Sequence, residues 1–164
     1  MTKAFIGLGS NLGDREGFLN RALRELDTLP RSELVQVSSL YDTDPVGHPA
    51  QPHYLNLVVL LNTDLPADQL LWNLQRIEGR MGRPRTGRLE PRVIDLDLLF
   101  HGDSVIDTPD LQVPHPRYAE RPFVLVPLAE LEPGWTDPRT GIRMDHLLRR
   151  RPEDTVRWAG RIKL

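Results

Sequence analysis

The chain has 164 residues, 39% of them apolar and 27% charged, with a formal net charge of −2. That length supports one compact domain with a real core and needs no staples. The balance of charge excludes a global basic field for holding nucleic acid, and the lack of cysteine excludes disulfides, thiolate nucleophiles and cysteine-ligated zinc.

In chain order, residues 3–8 form a short apolar run closed by Gly9-Ser10-Asn11, which predicts a buried strand entering a turn. The apolar stretch is interrupted too early for a signal peptide, and no run is long enough to span a bilayer. The expected location is therefore the cytosol, without membrane contact. Asp14 is placed to cap a helix whose apolar stripe is Leu19, Ala22, Leu23, Leu26 and Leu29, ended by Pro30. Residues 34–41 read as a second strand and residues 54–63 as a third. Leu65-Pro66-Ala67-Asp68 opens a second helix with the stripe Leu70, Leu71, Leu74, Ile77 and Met81, and Gly82 stops it.

Residues 93–100 predict a fourth strand. Val105 and Ile106 mark another short one, residues 122–131 a helix and residues 145–150 a last turn. The early order is strand, helix, strand, strand, helix, strand. It predicts a ferredoxin-like α+β sandwich with a βαββαβ core, a largely antiparallel sheet and functional loops. Many of the prolines and glycines sit in residues 44–52, 79–91 and 109–122, which marks those stretches as loops.

Asp95 and Asp97 lie two apart on the fourth strand and so share a face. Their backbones are then roughly 6–7 Å apart, from a rise of about 3.3 Å per residue. Two such carboxylates suit magnesium, which takes one or two carboxylates together with substrate phosphates. Two solvated acids on an exposed edge strand fit the same pattern. Val93, Ile94, Leu96, Leu98, Leu99 and Phe100 around them argue for a central strand, where acids are costly unless used.

Arg80, Arg83, Arg85, Arg88 and Arg92 fall within thirteen residues just before these acids. Guanidinium groups match phosphate oxygens and the charge of phosphoryl transfer, although a solvated basic loop is the ordinary reading of such a run. No Gly-x-x-x-x-Gly-Lys-Ser/Thr is present, and Gly7-x-Gly9 lacks the third glycine of a dinucleotide fingerprint, so it reads as a turn.

Tyr54 and Asn56 share a strand face, which suits a flat heterocycle stacked on the ring and read at its edge by the amide. A core tyrosine with a polar neighbour is the competing reading. Phe123 could supply the other face of the slot. Val113-Pro114-His115-Pro116-Arg117 is rigid, and His115 either meets phosphate or caps a turn. His48, His101 and His146 have no partner at ligand spacing and read as surface residues.

Five segments together resemble the 6-hydroxymethyl-7,8-dihydropterin pyrophosphokinases of the folate pathway. They are Gly9-Ser10-Asn11-Leu12-Gly13-Asp14-Arg15, Gln51-Pro52-His53-Tyr54-Leu55-Asn56, Gln75-Arg76-Ile77-Glu78, Pro91-Arg92-Val93-Ile94-Asp95-Leu96-Asp97-Leu98-Leu99 and Val113-Pro114-His115-Pro116-Arg117. The resemblance covers about residues 3 to 131, in the right order.

The resemblance implies transfer of pyrophosphate from ATP to the pterin hydroxymethyl group, with release of AMP. It implies that Asp95 and Asp97 bind two magnesium ions, and that Arg83 and Arg92 join them in catalysis. Gln75, Glu78, Arg85, Arg92, Leu98, His115 and Arg121 would line the ATP side. Thr43, Val46, Tyr54, Asn56 and Phe123 would hold the pterin, and Arg83 would sit on a loop that closes over both substrates. The implied partners are these two small molecules, with no nucleic acid, and the chain is expected to act as a monomer.

The chain departs from the family pattern at Leu89 and Glu90, where an aromatic and a glycine are common, and at Asp110 and Gln112 near the nucleotide. Two rival readings differ in class. One is a non-catalytic ferredoxin-like module binding a small ligand or RNA, which would want exposed aromatics rather than acids on its sheet. The other is a related kinase for a different heterocyclic alcohol.

Overall fold

The structure is a computed structural model that describes residues 1–44, 52–82, 93–150 and 156–163. Val46, His48, Arg83, Arg85, Arg88, Leu89, Glu90 and Arg92 lie outside the described residues. The elements, in order, are β1 (Thr2–Ser10), α1 (Arg15–Asp27), β2 (Ser32–Val37), β3 (Tyr41–Thr43), β4 (Tyr54–Thr63), α2 (Ala67–Arg80) and β5 (Asp95–His101). They continue with β6 (Ile106–Asp107), β7 (Gln112–Val113), α3 (Pro122–Leu131), α4 (Met144–Arg149) and β8 (Val156–Trp158).

The main sheet runs β5-β1-β4-β3-β8, with β2 also paired to β4. Every pairing in it is antiparallel. This is the ferredoxin-like α+β arrangement, with the first and last core strands adjacent and β4 beside them.

The pleat sorts the side chains. Ala4, Ile6 and Leu8 of β1, Leu55, Leu57, Val59 and Leu61 of β4, and Leu96 and Leu98 of β5 pack with the stripes of α1 and α2. On α1, Leu19, Leu23 and Leu26 are fully buried, each contributing about 1.5–3 kcal/mol of transfer free energy. Asp14 caps that helix as expected, its carboxylate accepting the Gly17 N–H at 3.1 Å. Gly82 follows α2 at φ +88, a conformation that stops a helix and suits glycine.

Among the described residues, the opposite sheet face is only partly covered. There Phe5, Val58, Leu60, Leu99 and Phe100 form a second core with α3, Tyr118 and Met144 of α4. The portion of that face carrying Gly7, Gly9, Asn56, Asp95 and Asp97 is left for the site.

Four details depart from the sequence reading. β5, expected as a central strand, stands at the edge of the described sheet and pairs with β1. The expected strand over 34–41 is two strands, β2 and β3. At the break, the Ser38 hydroxyl accepts the Val58 N–H at 2.9 Å, standing in for a strand carbonyl. Gly7-x-Gly9 is not a turn: β1 runs straight through both glycines to Ser10. His101 is not a surface residue. It is 9% exposed, with Nε2 donating to the Leu65 carbonyl at 2.8 Å.

A bulge explains His101. Phe5 pairs with Phe100 but Ile6 pairs with Leu98, so Leu99 is an extra residue in β5. The bulge sends Leu99 and Phe100 both into the second core and returns His101 to the α2 side. The Leu99 carbonyl accepts the His115 N–H at 2.9 Å, so the same irregularity anchors the segment after β7.

Candidate active site

Register sets the centre of the site. Across β1, Gly9 faces Asn56 of β4 on one side and Asp95 of β5 on the other, and Gly7 faces Asp97. Two strand spacings of about 4.8 Å place Asn56 and Asp95 about 10 Å apart at the backbone, with only a glycine between. The glycines form the floor. A methyl group at Gly9 would lie 2.7 Å from Asn56 Oδ1 and 3.6 Å from Tyr54 Cδ1. A glycine inside a strand commonly marks close approach of a ligand or another backbone. The sequence signal was the period-two Gly-x-Gly next to a central strand, and reading it as a turn missed that role.

At the β4 end, Asn56 and Thr43 are both buried, and Asn56 Nδ2 donates to Thr43 Oγ1 at 2.8 Å. Thr43 is in turn the strand partner of Tyr54. The amide is thus held from β3, and Oδ1 projects over the glycine floor. Thr43, Tyr54 and Asn56 come together as the sequence predicts.

At the β5 end, Asp95 and Asp97 share the open face, and Leu96 between them points into the α1/α2 core. Glu78 of α2 is 6% exposed, and its Oε2 accepts the Leu96 N–H at 3.0 Å. Its carboxylate therefore braces the strand that presents the acids, a role its expected place on the ATP side did not anticipate. Arg121 Nη1 lies 3.9 Å from Asp97 Oδ2, and its guanidinium sits 5.7 Å from the Phe123 ring centroid. These contacts attach Phe123 to the acid end.

Beyond Asp97 an open cleft of about 330 Å³ is bordered by Leu71, Leu98, Gln112 and His115. Leu98 also packs in the core and is 5% exposed. Gln75 is exposed on α2, one turn beyond Leu71 on the same stripe.

His115 Nδ1 accepts the Arg117 N–H at 3.1 Å. That contact caps the turn and assigns the ring proton to Nε2, so the two roles left open for His115 are compatible. Burial, and then the charges of Arg121, Arg117 and Arg139, lower its pKa to about 4. At neutral pH it is an uncharged donor. Arg139 is held by Asp137, which is 1% exposed and also accepts the Tyr118 hydroxyl. Tyr118 and Asp137 thereby fix the 3-10 turn that leads to Arg121.

Among the described residues no group of three or more acids and histidines could hold a metal by itself. The two carboxylates fit a hard cation that completes its shell with substrate oxygens. Both are paired with a glycine of β1, so no β1 side chain stands beside them.

The model of the 7,8-dihydro-6-hydroxymethylpterin-pyrophosphokinase family matches residues 5–133. The chain belongs to this family. Its members are transferases that pass a pyrophosphoryl group to hydroxymethyldihydropterin in folate biosynthesis.

The 2-amino-4-hydroxy-6-hydroxymethyldihydropteridine pyrophosphokinase of Bacillus subtilis (strain 168) is 47% identical over 128 residues, covering 78% of this chain and 77% of that one. The protein of the same name from Pseudomonas aeruginosa is 44% identical over 131 residues, covering 80% and 81%. Among solved structures, an HPPK-DHPS from Plasmodium falciparum superposes with a TM-score of 0.73 at 15% identity. It covers 91% of this chain and 45% of that longer one, and at that identity the likeness concerns the fold alone. The family match ends before α4 and β8, so the C-terminal elements are described from this chain's own residues. Arg121 and His115 fall within the match, Arg139 and Asp137 beyond it.

Proposed function

We propose that this chain transfers the pyrophosphoryl group of ATP to the hydroxymethyl oxygen of 6-hydroxymethyl-7,8-dihydropterin, releasing AMP, with Asp95 and Asp97 as ligands of two magnesium ions. The observation that carries this reading is the placement of Asn56 and Asp95 on either side of Gly9. A flat bicycle whose amide edge meets Asn56 directs its far substituent across the glycine floor toward the acids.

When bound there, magnesium neutralises phosphate oxygens and holds the polyphosphate in line. The chain supplies the rest. Tyr54 and Phe123 stack the pterin, and Asn56, locked by Thr43, reads its edge. The hydroxymethyl oxygen attacks the β-phosphorus, and the bond from that phosphorus to the α,β-bridging oxygen breaks. AMP leaves, and the alcohol proton is lost to solvent. Arg121, within 4 Å of Asp97, is placed to turn onto a phosphate oxygen, and His115 Nε2 offers a neutral hydrogen bond. Arg83, Arg85 and Arg92, outside the described residues, would add charge around the same phosphates, with Arg83 and Arg92 acting at the transferred group.

Positioning and charge stabilisation account for most of such a step. Leu71, Leu98, Gln75 and Glu78 would border the nucleotide side. No described helix is long and apolar enough to cross a membrane. A cytosolic monomer that carries two small molecules between its loops is the accompanying proposal.

The deciding experiment incubates the protein with ATP, magnesium and the hydroxymethyl-dihydropterin and separates the nucleotides. AMP formed only in the presence of pterin is the expected result. ADP as the product, or AMP formation with another heterocyclic alcohol in preference to the pterin, would reject the reading.

A further inference from the structure

The segment 156–163 lies beyond the residues matched by the family model, yet it is built into the sheet. β8 pairs with β3, setting Val156 opposite Thr43, Arg157 opposite Asp42 and Trp158 opposite Tyr41. Leu40 N–H donates to the Gly160 carbonyl and Ala159 N–H to the Leu40 carbonyl, both at 2.7 Å. Ile162 packs against the α1/α2 core, and Asn20 Nδ2 donates to the Lys163 carbonyl at 3.3 Å.

Arg157 ties this strand to residues that flank the site. Its Nη2 lies 3.1 Å from Asp42 Oδ1, 3.1 Å from Asp44 Oδ1 and 3.3 Å from His53 Nδ1. His53 Nδ1 is itself 3.0 Å from Asp42 Oδ1, so that nitrogen either donates to the carboxylate or accepts from the guanidinium. Arg15 joins from α1, donating to the His53 carbonyl at 2.9 Å and standing 3.9 Å from Asp42 Oδ2. Strand alternation puts Asp42, Asp44 and His53 on the face behind the site, while Thr43, Tyr54 and Asn56 point into it. Asp44 directly follows Thr43, and His53 directly precedes Tyr54. The guanidinium therefore joins β3 to β4 where both present the residues that face the pterin.

We propose that Arg157 is a positioning residue for the pterin side of the site, clamping the ends of β3 and β4 from the C-terminal strand. The proposal rests on the pterin reading of that face. It has a bland competitor, because exposed ion pairs often contribute little. What separates it from an ordinary surface pair is convergence: one cation meets two carboxylates and an imidazole that flank two pocket residues.

The remaining anchors of the segment do not involve this side chain, so Arg157→Ala is expected to fold with β8 still docked. The measurements are pterin affinity by fluorescence titration, KM for ATP, and amide hydrogen exchange across residues 41–43 and 54–56. Arg157→Ala should weaken pterin binding about fivefold, the upper range for exposed pairs, and leave the KM for ATP within about twofold. Exchange in both strand ends should quicken. Arg157→Lys, a single ammonium that engages one carboxylate at a time, should recover part of the affinity.

Unchanged pterin affinity overturns the proposal. So does equal weakening toward both substrates, the signature of a merely structural role. If the wild-type chain binds no pterin, the substrate assignment fails on its own account. The clamp is then decided by exchange, with faster exchange in Arg157→Ala supporting it and unchanged exchange overturning it.

Discussion

Glu78 holds Leu96 from beneath: a carboxylate on α2 accepts the backbone N–H of the residue between the two acids, at 3.0 Å. Both groups are buried. Glu78→Ala strands that N–H without its acceptor, a cost of about 1–3 kcal/mol. The expected outcome is a lower urea midpoint together with a lower kcat, because the displaced strand carries Asp95 and Asp97. Glu78→Gln keeps an acceptor oxygen and should fall closer to wild type in both measurements. Equal stability and equal turnover in the alanine variant would separate this hydrogen bond from the site.

Gly9→Ala tests the glycine floor. The added methyl meets Asn56 Oδ1 at 2.7 Å, inside the contact distance, and Asn56 is held on its other side by Thr43. Something in the pocket must shift. Pterin affinity should fall by about tenfold or more, in line with the cost of an overpacked site, while ATP affinity changes far less. Equilibrium titration of each substrate alone reads the difference. An alanine variant with wild-type pterin affinity would remove Gly9 from the floor.

How far the sequence reaches is visible at these same residues. The period of the apolar stripes and the split order of elements are local signals, and they placed both helices and the ferredoxin-like sheet. The acids at 95 and 97 and the pair at 54 and 56 were legible because a strand period of two fixes their face. Four features were not. That Gly7 and Gly9 continue β1 follows from their partners on β4 and β5, which no window along the chain contains. The break at Ser38 depends on its hydroxyl meeting Val58, twenty residues on. His101 turns inward because Leu99 bulges, and a bulge is a mismatch between two strands rather than a property of either. The clamp by Arg157 spans more than a hundred residues in sequence and has no local signature at all.

Asp97→Ala should abolish turnover while far-UV circular dichroism and the urea midpoint stay near wild type. The residue's side chain is 42% exposed and stands 3.9 Å from Arg121. Removing divalent cations with a chelator should stop AMP formation in the wild-type protein, and added magnesium should restore it. Retained activity in Asp97→Ala, or activity indifferent to the chelator, would take the metal role away from this pair.

His115 gives the pH dependence. Burial and three neighbouring arginines lower its pKa to about 4, against an ordinary value of about 6.5. In the unfolded chain it binds a proton below about 6.5, whereas in the folded chain it does so only below about 4. The unfolded state therefore holds more protons across that window. The contribution of neutral His115 to stability is complete above about pH 6.5 and is lost as pH falls toward 4. His115→Asn should flatten that part of the stability curve. An NMR titration of the ring protons in the free protein should show a midpoint near 4. Adding ATP should move it upward, because phosphate oxygens beside Nε2 favour the charged ring. A free-protein midpoint at the ordinary histidine value would contradict the buried, arginine-flanked environment. A midpoint indifferent to ATP would place the phosphates elsewhere.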